Sequence, residues 1–203
     1  MTIYPRRHGK VVMVLLAIAL LSACSQTPTT DNLSVSASGT STPLTEPQQQ
    51  LYEKALRHGQ AGDYSAAAEQ IERLVQQRPA RAELWVHLAT AYYHNDHGPQ
   101  AEKALENALK LNPDLASAHN LAGTMALKRA EIETAEQHFE AALRQDPRSA
   151  DAHYNLGLLY DTYYQDLSSA IEHYEAYLAL VDSDERTAQW VRQLQSALER
   201  QGG

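Results

Sequence analysis

The apolar and polar residues of the chain fall into three successive patterns. The first is an unbroken apolar run, VVMVLLAIALL, from Val11 to Leu21. Residues 24–47 follow, and they are rich in Ser, Thr and Pro and lack a helical or strand period. From residue 48 onward, apolar and small residues recur at one long, fixed period. The chain therefore divides into an N-terminal segment, a polar linker and a repetitive folded part.

The long period is 34 residues. Four independent series keep this spacing: a proline series, an alanine series, a series of larger apolar residues and a series of small residues. Their members are Pro79, Pro113 and Pro147; Ala67, Ala101 and Ala135; Ile71, Leu105 and Phe139; and Ala55, Ala89, Gly123 and Gly157. This period predicts repeated units of two antiparallel helices, which stack because no single pair buries a full core.

The second unit carries the most complete set of signature residues: Trp85, Leu88, Ala89, Tyr92, Ala101, Leu105, Ala108 and Pro113. This set resembles the tetratricopeptide repeat family over roughly two thirds of the chain. The resemblance implies an all-α, right-handed solenoid of helix-turn-helix repeats at 48–184, with units 48–81, 82–115, 116–149 and 150–184. In the fourth unit Ala170, Tyr174 and Leu178 come one residue late, which predicts an insertion near Gln165 and Asp166.

Local chemistry agrees with these units. Each proline ends a second helix because it lacks an amide donor and disfavours helix at the residue before it. Gly62-Asp63 and Gly98-Pro99 predict turns between helices. Small residues such as Gly123 and Ala135 are expected to let the two helices of a unit approach closely.

The last 19 residues, 185–203, predict a C-terminal capping helix. Asp182, Ser183 and Asp184 offer helix-start chemistry. Trp190, Val191, Leu194 and Leu198 recur at helical spacing, so we expect them to pack on the last repeat. A mobile helix that binds a partner is the alternative.

The N-terminus has the layout of a secretory signal peptide at 1–23. Arg6, Arg7 and Lys10 precede the apolar run, whose eleven residues would rise only about 16 Å as a helix, too short to span a bilayer. The run ends in Leu21-Ser22-Ala23-Cys24, which resembles the lipobox of bacterial lipoproteins. That resemblance implies cleavage before Cys24 and its acylation, and Ser25 favours the outer membrane, at its periplasmic face.

An ordinary signal peptide with an incidental cysteine is the alternative interpretation of this segment. We favour the lipoprotein because the single cysteine of the chain stands where the motif requires it. Residues 24–47 would then be a lipidated cysteine and a disordered tether, because so polar a stretch cannot bury enough apolar surface to order itself.

The charge of the chain narrows the classes of partner. The net charge is −8, and three of the 17 basic residues precede the predicted cleavage site. Phosphate binding depends on clustered Lys and Arg, so we expect no nucleic-acid partner.

A single cysteine excludes a disulfide framework and any multi-cysteine zinc site.

No catalytic motif is present: the chain lacks a phosphate-binding Gly loop, a G-x-S-x-G elbow and an H-E-x-x-H pair. His94 and His97 flank Asp96 at a predicted turn, where a solvated turn is the simpler interpretation than a metal site. His119 and His153 take the place that Trp85 has in the second unit, so we expect packing residues. We therefore predict no enzyme activity, cofactor, metal or small-molecule substrate.

The remaining function is recognition. In tetratricopeptide solenoids the first helices of the units line a concave groove, and the resemblance carries that role onto twelve residues here. They are Tyr52, Leu56, Val86, Thr90, Tyr93, His94, Asn120, Thr124, Leu127, Lys128, Tyr154 and Leu158. Tyr52 and Leu56 replace the Lys and Asn with which chaperone-binding members hold a terminal carboxylate, so that clamp is absent. An extended or helical protein segment fits this mixed surface.

Two function classes stay open. One is a membrane-anchored scaffold or assembly factor of the bacterial envelope, like the repeat lipoproteins that help build pili or secretins or that act as adaptors for cell-wall enzymes. The other is a structural, envelope-organising protein that binds glycan or lipid instead of a protein partner.

Overall fold

The computed structural model describes residues 42–202, so Cys24 and the predicted signal peptide lie outside the described residues. The described part is helical and contains no strand. Its helices are α1 (Glu46–Gln60), α2 (Tyr64–Gln77), α3 (Ala82–His94), α4 (Gly98–Leu111), α5 (Ala116–Lys128), α6 (Ile132–Gln145), α7 (Ala150–Leu159), α8 (Leu167–Leu178) and α9 (Glu185–Gly202).

Consecutive helices pack as pairs, and the pairs stack. Helix α1 packs on α2, α3 on α4, α5 on α6 and α7 on α8, and the second helix of each pair also contacts the first helix of the next. In addition, the first helices contact one another directly, α3 with α5 and α5 with α7. The all-α fold of stacked helix-turn-helix units is therefore confirmed.

Each turn between the two helices of a unit contains one residue with left-handed backbone. These residues are Gly62, Asp96, Ala130 and Gln165, with φ of 77°, 56°, 59° and 54°. They repeat at the unit spacing, and the last step is one residue longer. The expectation that Gly98-Pro99 forms the second turn was wrong in detail, because Asp96 supplies the left-handed residue and Gly98 begins α4.

The extra residue of the fourth unit lies in the helix and not in the turn near Gln165. Tyr160–Tyr164 forms a π-helical segment that continues α7, and a π-helix accommodates one more residue per turn than the α-helix ladder allows. The hydroxyls of Tyr160 and Tyr164 each donate a hydrogen bond to one oxygen of Glu136, both at 2.7 Å. These two bonds attach the π-helical segment to α6.

The two glycines of the small-residue series make room for aromatic rings. A Cβ on Gly123 would lie 2.5 Å from Cε1 of Phe139, and a Cβ on Gly157 would lie 2.7 Å from Cδ1 of Tyr174. Both rings are buried, with Phe139 fully inaccessible and Tyr174 3% exposed. The close approach predicted at these positions is thus between a helix backbone and a ring of its partner helix.

One hydrogen bond recurs where successive units meet. Nε1 of Trp85 donates to the carbonyl of Pro79 at 2.8 Å. Nε2 of His119 and of His153 makes the same contact with the carbonyls of Pro113 and Pro147, at 2.8 and 3.2 Å. These two histidines therefore occupy the structural place of the tryptophan.

Each of these histidines also faces a second one on the partner helix. The Nδ1 atoms of His119 and His138 are 3.3 Å apart, and those of His153 and His173 are 3.1 Å apart. Because Nε2 of His119 and His153 must carry the hydrogen that bonds the proline carbonyl, Nδ1 of each neutral ring is an acceptor. His138 and His173 then donate Nδ1–H across the pair.

Helix α9 packs on α8 at the end of the stack. Asp184 caps its start by accepting from the amide of Thr187 at 3.1 Å and from its hydroxyl at 2.7 Å. Of the four apolar residues expected to pack, Val191 and Leu194 are buried, whereas Trp190 and Leu198 are 41% and 37% exposed. The cap therefore uses a narrower apolar stripe than the spacing alone indicates.

The chain reaches α1 through a fixed contact. The guanidinium of Arg78, at the end of α2, donates to the carbonyls of Thr42 and Pro43, the latter at 3.1 Å. The backbone amide of Thr45 donates to Oε1 of Gln48 at 3.1 Å, which closes the first turn of the helix. The segment before α1 is thus held against the first unit.

Candidate binding groove

The twelve predicted groove residues all lie on the first helices α1, α3, α5 and α7. We call the surface that these residues form, together with the matching face of α9, the first-helix surface. His94, Lys128 and Leu158 are exposed, and eight of the others are half-buried. Val86 is 7% exposed and belongs to the core cluster, so it offers little surface to a partner.

At the N-terminal end of the surface, Tyr52 of α1 is already engaged with α3. Its hydroxyl lies 2.7 Å from Nε2 of His87, and the two rings meet edge to face at 5.3 Å. Burial lowers the pKa of His87 and raises that of Tyr52. Leu56 lies one turn further along α1 and is half-buried. This end of the surface therefore also joins the first two units.

Side chains of the first three units form a cluster of rings and charges. His94 stacks on Tyr64 with ring centres 4.5 Å apart and meets Tyr93 edge to face at 5.2 Å. Nζ of Lys128 lies 5.0 Å from the centre of the Tyr93 ring and 2.6 Å from Oδ1 of Asp96. Both contacts hold the lysine above the aromatic face.

These contacts change the pKa values of the ionisable groups in the cluster. Burial, and then the charge of Lys128, lower the pKa of His94, so the ring is neutral near pH 7. The hydrogen bond from Lys128 lowers the pKa of Asp96 and raises that of the lysine. The ion pair leaves the middle of the surface with little net charge.

The polar residues of the surface make hydrogen bonds within the protein. The hydroxyls of Thr90 and Thr124 donate to carbonyls of their own helices, those of Val86 and Asn120, at 2.9 and 3.0 Å. Oδ1 of Asn120 accepts from Nδ2 of the buried Asn155 at 2.9 Å, which links α5 to α7. These groups fix the geometry of the surface.

The C-terminal end of the surface is aromatic. The ring of Tyr154 meets the rings of Tyr174 and Tyr177 edge to face at 5.7 and 5.2 Å. Leu158 follows one turn later on α7, and both residues border a cavity of 420 Å³ between α7, α8 and α9. Leu127 of α5 is half-buried against the neighbouring core cluster. Tyr93 and Tyr154 therefore each lie within a cluster of aromatic side chains.

Several side chains that complete these clusters were not predicted from the sequence. Tyr64 and Asp96 complete the cluster around Tyr93, and Trp190 completes the one around Tyr154. The sequence contains a signal for the role of α9, the helix that carries Trp190. Arg186, Gln189 and Gln193 of this helix follow Asp151, Tyr154 and Leu158 by one unit of 35 residues. Helix α9 therefore continues the pattern of first helices, and it brings its own face to the surface.

Neither a metal cluster nor a membrane span emerges from the described residues. Within 42–202, no group of three or more His, Cys, Asp or Glu side chains is placed to hold a metal ion. In the same range, no helix combines the length and apolar character needed to cross a membrane. The predicted lipidation site, Cys24, lies outside this range.

Comparisons with known proteins identify the repeat. A tetratricopeptide repeat family model matches residues 60–124, and a second TPR repeat model matches 123–165. Superkiller complex protein 3 of Homo sapiens is 33% identical over 144 residues, which are 70% of this chain and 9% of that protein. The mouse protein is 39% identical over 61 residues, 30% of this chain and 4% of its own length. The chain thus spans less than a tenth of these curated relatives.

Solved structures show the same fold at low identity. PilF of Pseudomonas aeruginosa is 20% identical, with a TM-score of 0.66 over 76% of this chain and 70% of its own. A thermophilic TPR protein of Thermus thermophilus is 22% identical, with a TM-score of 0.64 over 73% and 81%. MamA of Desulfovibrio magneticus is 20% identical, with a TM-score of 0.57 over 77% and 88%. From the repeat spacing, the stacked helix pairs and these matches, the chain belongs to the tetratricopeptide repeat family.

Proposed function

We propose that this protein is a lipid-anchored scaffold of the bacterial cell envelope, which holds a protein partner on its first-helix surface. The tetratricopeptide fold supports protein–protein interaction in general, and proteins of this kind are generally scaffolds without enzyme activity. The acylated Cys24 would attach the scaffold to the outer membrane at its periplasmic face.

The observation that carries the proposal is the row of apolar side chains left on the first helices of three successive units. Tyr93, Leu127 and Tyr154 are each half-buried, so each keeps part of its side chain accessible to a partner. Aromatic anchors fixed by their neighbours are the side chains that most often dominate protein interfaces. Tyr93 is fixed by Lys128, and Tyr154 by the tyrosines of α8.

The position at which a membrane anchor would join the folded part fits the role of a scaffold. Because Arg78 holds the segment before α1 against the first unit, a membrane anchor would connect at that end. Tyr93 and Tyr154 lie one and three units further along the stack. An anchored protein would therefore keep the partner surface away from its point of attachment.

A capture experiment tests the binding surface. Tyr93→Ala with Tyr154→Ala should abolish recovery of a stoichiometric protein partner from detergent-solubilised envelope, with an unchanged circular dichroism spectrum. Tyr163→Ala is the matched control, because that tyrosine is 47% exposed and lies in the π-helical segment outside the surface. Full capture by the folded double variant would contradict the proposal, and so would loss of capture in the control. Recovery of glycan or lipid alone would favour the envelope-organising alternative.

The anchor is tested separately. Cys24→Ser should remove metabolic labelling with palmitate and release the protein from the outer-membrane fraction. Equal labelling of the variant and the wild type would exclude lipidation at Cys24, whatever the first-helix surface binds.

A further inference from the structure

The cavity at the C-terminal end of the first-helix surface has walls of aromatic rings. We call it the C-terminal pocket. Its 420 Å³ are bordered by Tyr154 and Leu158 of α7, Tyr174 of α8 and Trp190 of α9. Leu158 and Trp190 are 37% and 41% exposed, an unusual exposure for large apolar side chains that stand side by side. One wall of the pocket is α9, which follows the fourth unit, so the pocket forms where the cap meets the last repeat.

A carboxylate stands in the wall of the pocket. Oδ2 of Asp161 accepts a hydrogen bond from Nε1 of Trp190 at 2.8 Å, which orients the indole ring. The side chain of Asp161 forms no other hydrogen bond or ion pair among residues 42–202, so Oδ1 keeps its capacity to accept. Burial raises the pKa of this carboxyl, and the Trp190 bond opposes that effect. A cation placed beside Asp161 would stabilise its charged form.

The charges around the pocket favour a cationic occupant. Asp184 and Arg186 both act on the hydroxyl of Tyr154, and Asp151 with Asp184 acts on that of the adjacent Tyr177. Within the described part of the chain, one carboxylate, Asp161, and one cation, Arg186, border the cavity, and Asp184 and Asp151 add negative charge near the hydroxyls of Tyr154 and Tyr177. Asp184 is engaged in capping α9, while Asp151 makes no ion pair among the described residues. The whole chain carries −8, which attracts basic partners over a longer range.

We propose that the C-terminal pocket binds an arginine side chain of an extended partner segment, with the guanidinium stacked on Trp190 and paired to Oδ1 of Asp161. A planar guanidinium stacks its flat face on an indole ring and presents a fork of N–H donors to a carboxylate, whereas a lysine ammonium has no flat face to stack. Gln189 and Gln193 border the same cavity, and their amides are suited to the backbone of such a segment. This inference rests on the proposed function, because it names the chemistry of the partner.

Two peptides that differ by one charge test the proposal. The probes are acetyl-GSGLRLGSG-amide and the same peptide with citrulline, which has the shape of arginine but no charge. Titration of the full folded chain, followed by the fluorescence of Trp190 and by calorimetry, should show at least about tenfold tighter binding of the arginine peptide. Trp190→Phe should remove the fluorescence response while Trp85 keeps its emission.

The matched variant is Asp161→Asn. The amide oxygen of asparagine can still accept from Nε1 of Trp190, so the pocket keeps its shape and loses only the charge. We expect the preference for arginine over citrulline to fall to about one, with the melting temperature unchanged. Equal binding of the two peptides to the wild type would overturn the inference, as would an undiminished preference in a folded Asp161→Asn variant.

The capture experiment separates this inference from the function on which it rests. Tyr93→Ala lies outside the pocket and tests the first-helix surface alone. Loss of capture with Tyr93→Ala but not with Asp161→Asn would overturn the pocket assignment and leave the scaffold intact. Capture that survives Asp161→Asn and also the double substitution Tyr93→Ala with Tyr154→Ala would overturn both proposals, and loss of capture with Asp161→Asn and with Tyr93→Ala supports both.

Discussion

The ring of Phe139 occupies the space that a side chain on Gly123 would need. The ideal Cβ position at Gly123 lies 2.5, 2.6 and 2.9 Å from three carbons of that ring, and the ring itself is fully inaccessible to solvent. The same relationship joins Gly157 to Tyr174 in the next unit. Glycine at this position of the repeat is therefore required by the ring that it faces and not by a left-handed backbone.

Gly123→Ala should destabilise the protein, although alanine favours helix. Displacing the confined ring costs about 1–3 kcal/mol, and the helix propensity of alanine offsets about 1 kcal/mol of that. The control is Gly59→Ala in α1, where a Cβ meets nothing within 4 Å. Urea unfolding should show a lower free energy of unfolding for Gly123→Ala and an equal or higher one for Gly59→Ala. Equal effects of the two substitutions would contradict the close approach.

The left-handed turn residues give a reciprocal prediction. Gly62 and Ala130 occupy equivalent turns, with φ of 77° and 59°. A left-handed conformation costs a residue with a Cβ about 1–2 kcal/mol, against the larger entropy that glycine loses on folding. Ala130→Gly should therefore raise the free energy of unfolding by about 0.5–1 kcal/mol, and Gly62→Ala should lower it by a similar amount. Shifts of the same sign in the two variants would show that the turns are not equivalent.

The sequence predicts the repeat well because each series reports a local requirement that recurs every 34 residues. Gly123, Ala135 and Phe139 are all buried, as their places in the series require. Features that occur in only one unit are harder to predict from the sequence. The π-helical segment at 160–164 is visible only as a shift of register, which does not say whether the helix or the turn absorbs the extra residue.

The predicted groove shows the same limit. A position carried over from a family predicts the helix face, but it does not say which neighbour covers it. Val86 takes a groove position and is buried, whereas Trp190 takes a packing position and stays 41% exposed. Both outcomes depend on side chains from adjacent units, which the period alone does not specify.

We expect the protein to lose stability in mild acid because of its two pairs of facing histidines. Burial and the adjacent His119 hold the pKa of His138 below its ordinary value, and burial and His153 do the same for His173. Arg129 adds to the first effect, and Glu172 opposes the second. In the unfolded chain both rings regain the ordinary pKa, so the unfolded state binds more protons between the two values. Their contribution is therefore complete above the ordinary pKa and is lost as the pH falls through the lower folded pKa.

A double substitution tests the source of this effect. His119→Trp with His138→Ala recreates the residues found one unit earlier, Trp85 and Ala104. The melting temperature of the wild type should fall between about pH 7.5 and pH 5, and that of the variant should fall less. The slope should persist in part, because His153 and His173 remain and burial also lowers the pKa of His87 and His94. An unchanged slope would assign the acid sensitivity to other groups.

The last prediction concerns the cap. Val191 and Leu194 are 5% and 4% exposed against α8, so Leu194→Ala should cost about 2–3 kcal/mol, the lower part of the range for buried leucine, because α9 is the last helix described. Leu198→Ala removes the same atoms from a side chain that is 37% exposed, and it should cost less than about 1 kcal/mol. Deleting 185–203 should lower the melting temperature further and promote association, because it uncovers Ile171 and Tyr174. Thermal unfolding with light scattering measures both effects. A truncated chain that remains monomeric and has the melting temperature of the wild type would show that the solenoid ends at α8 and needs no cap.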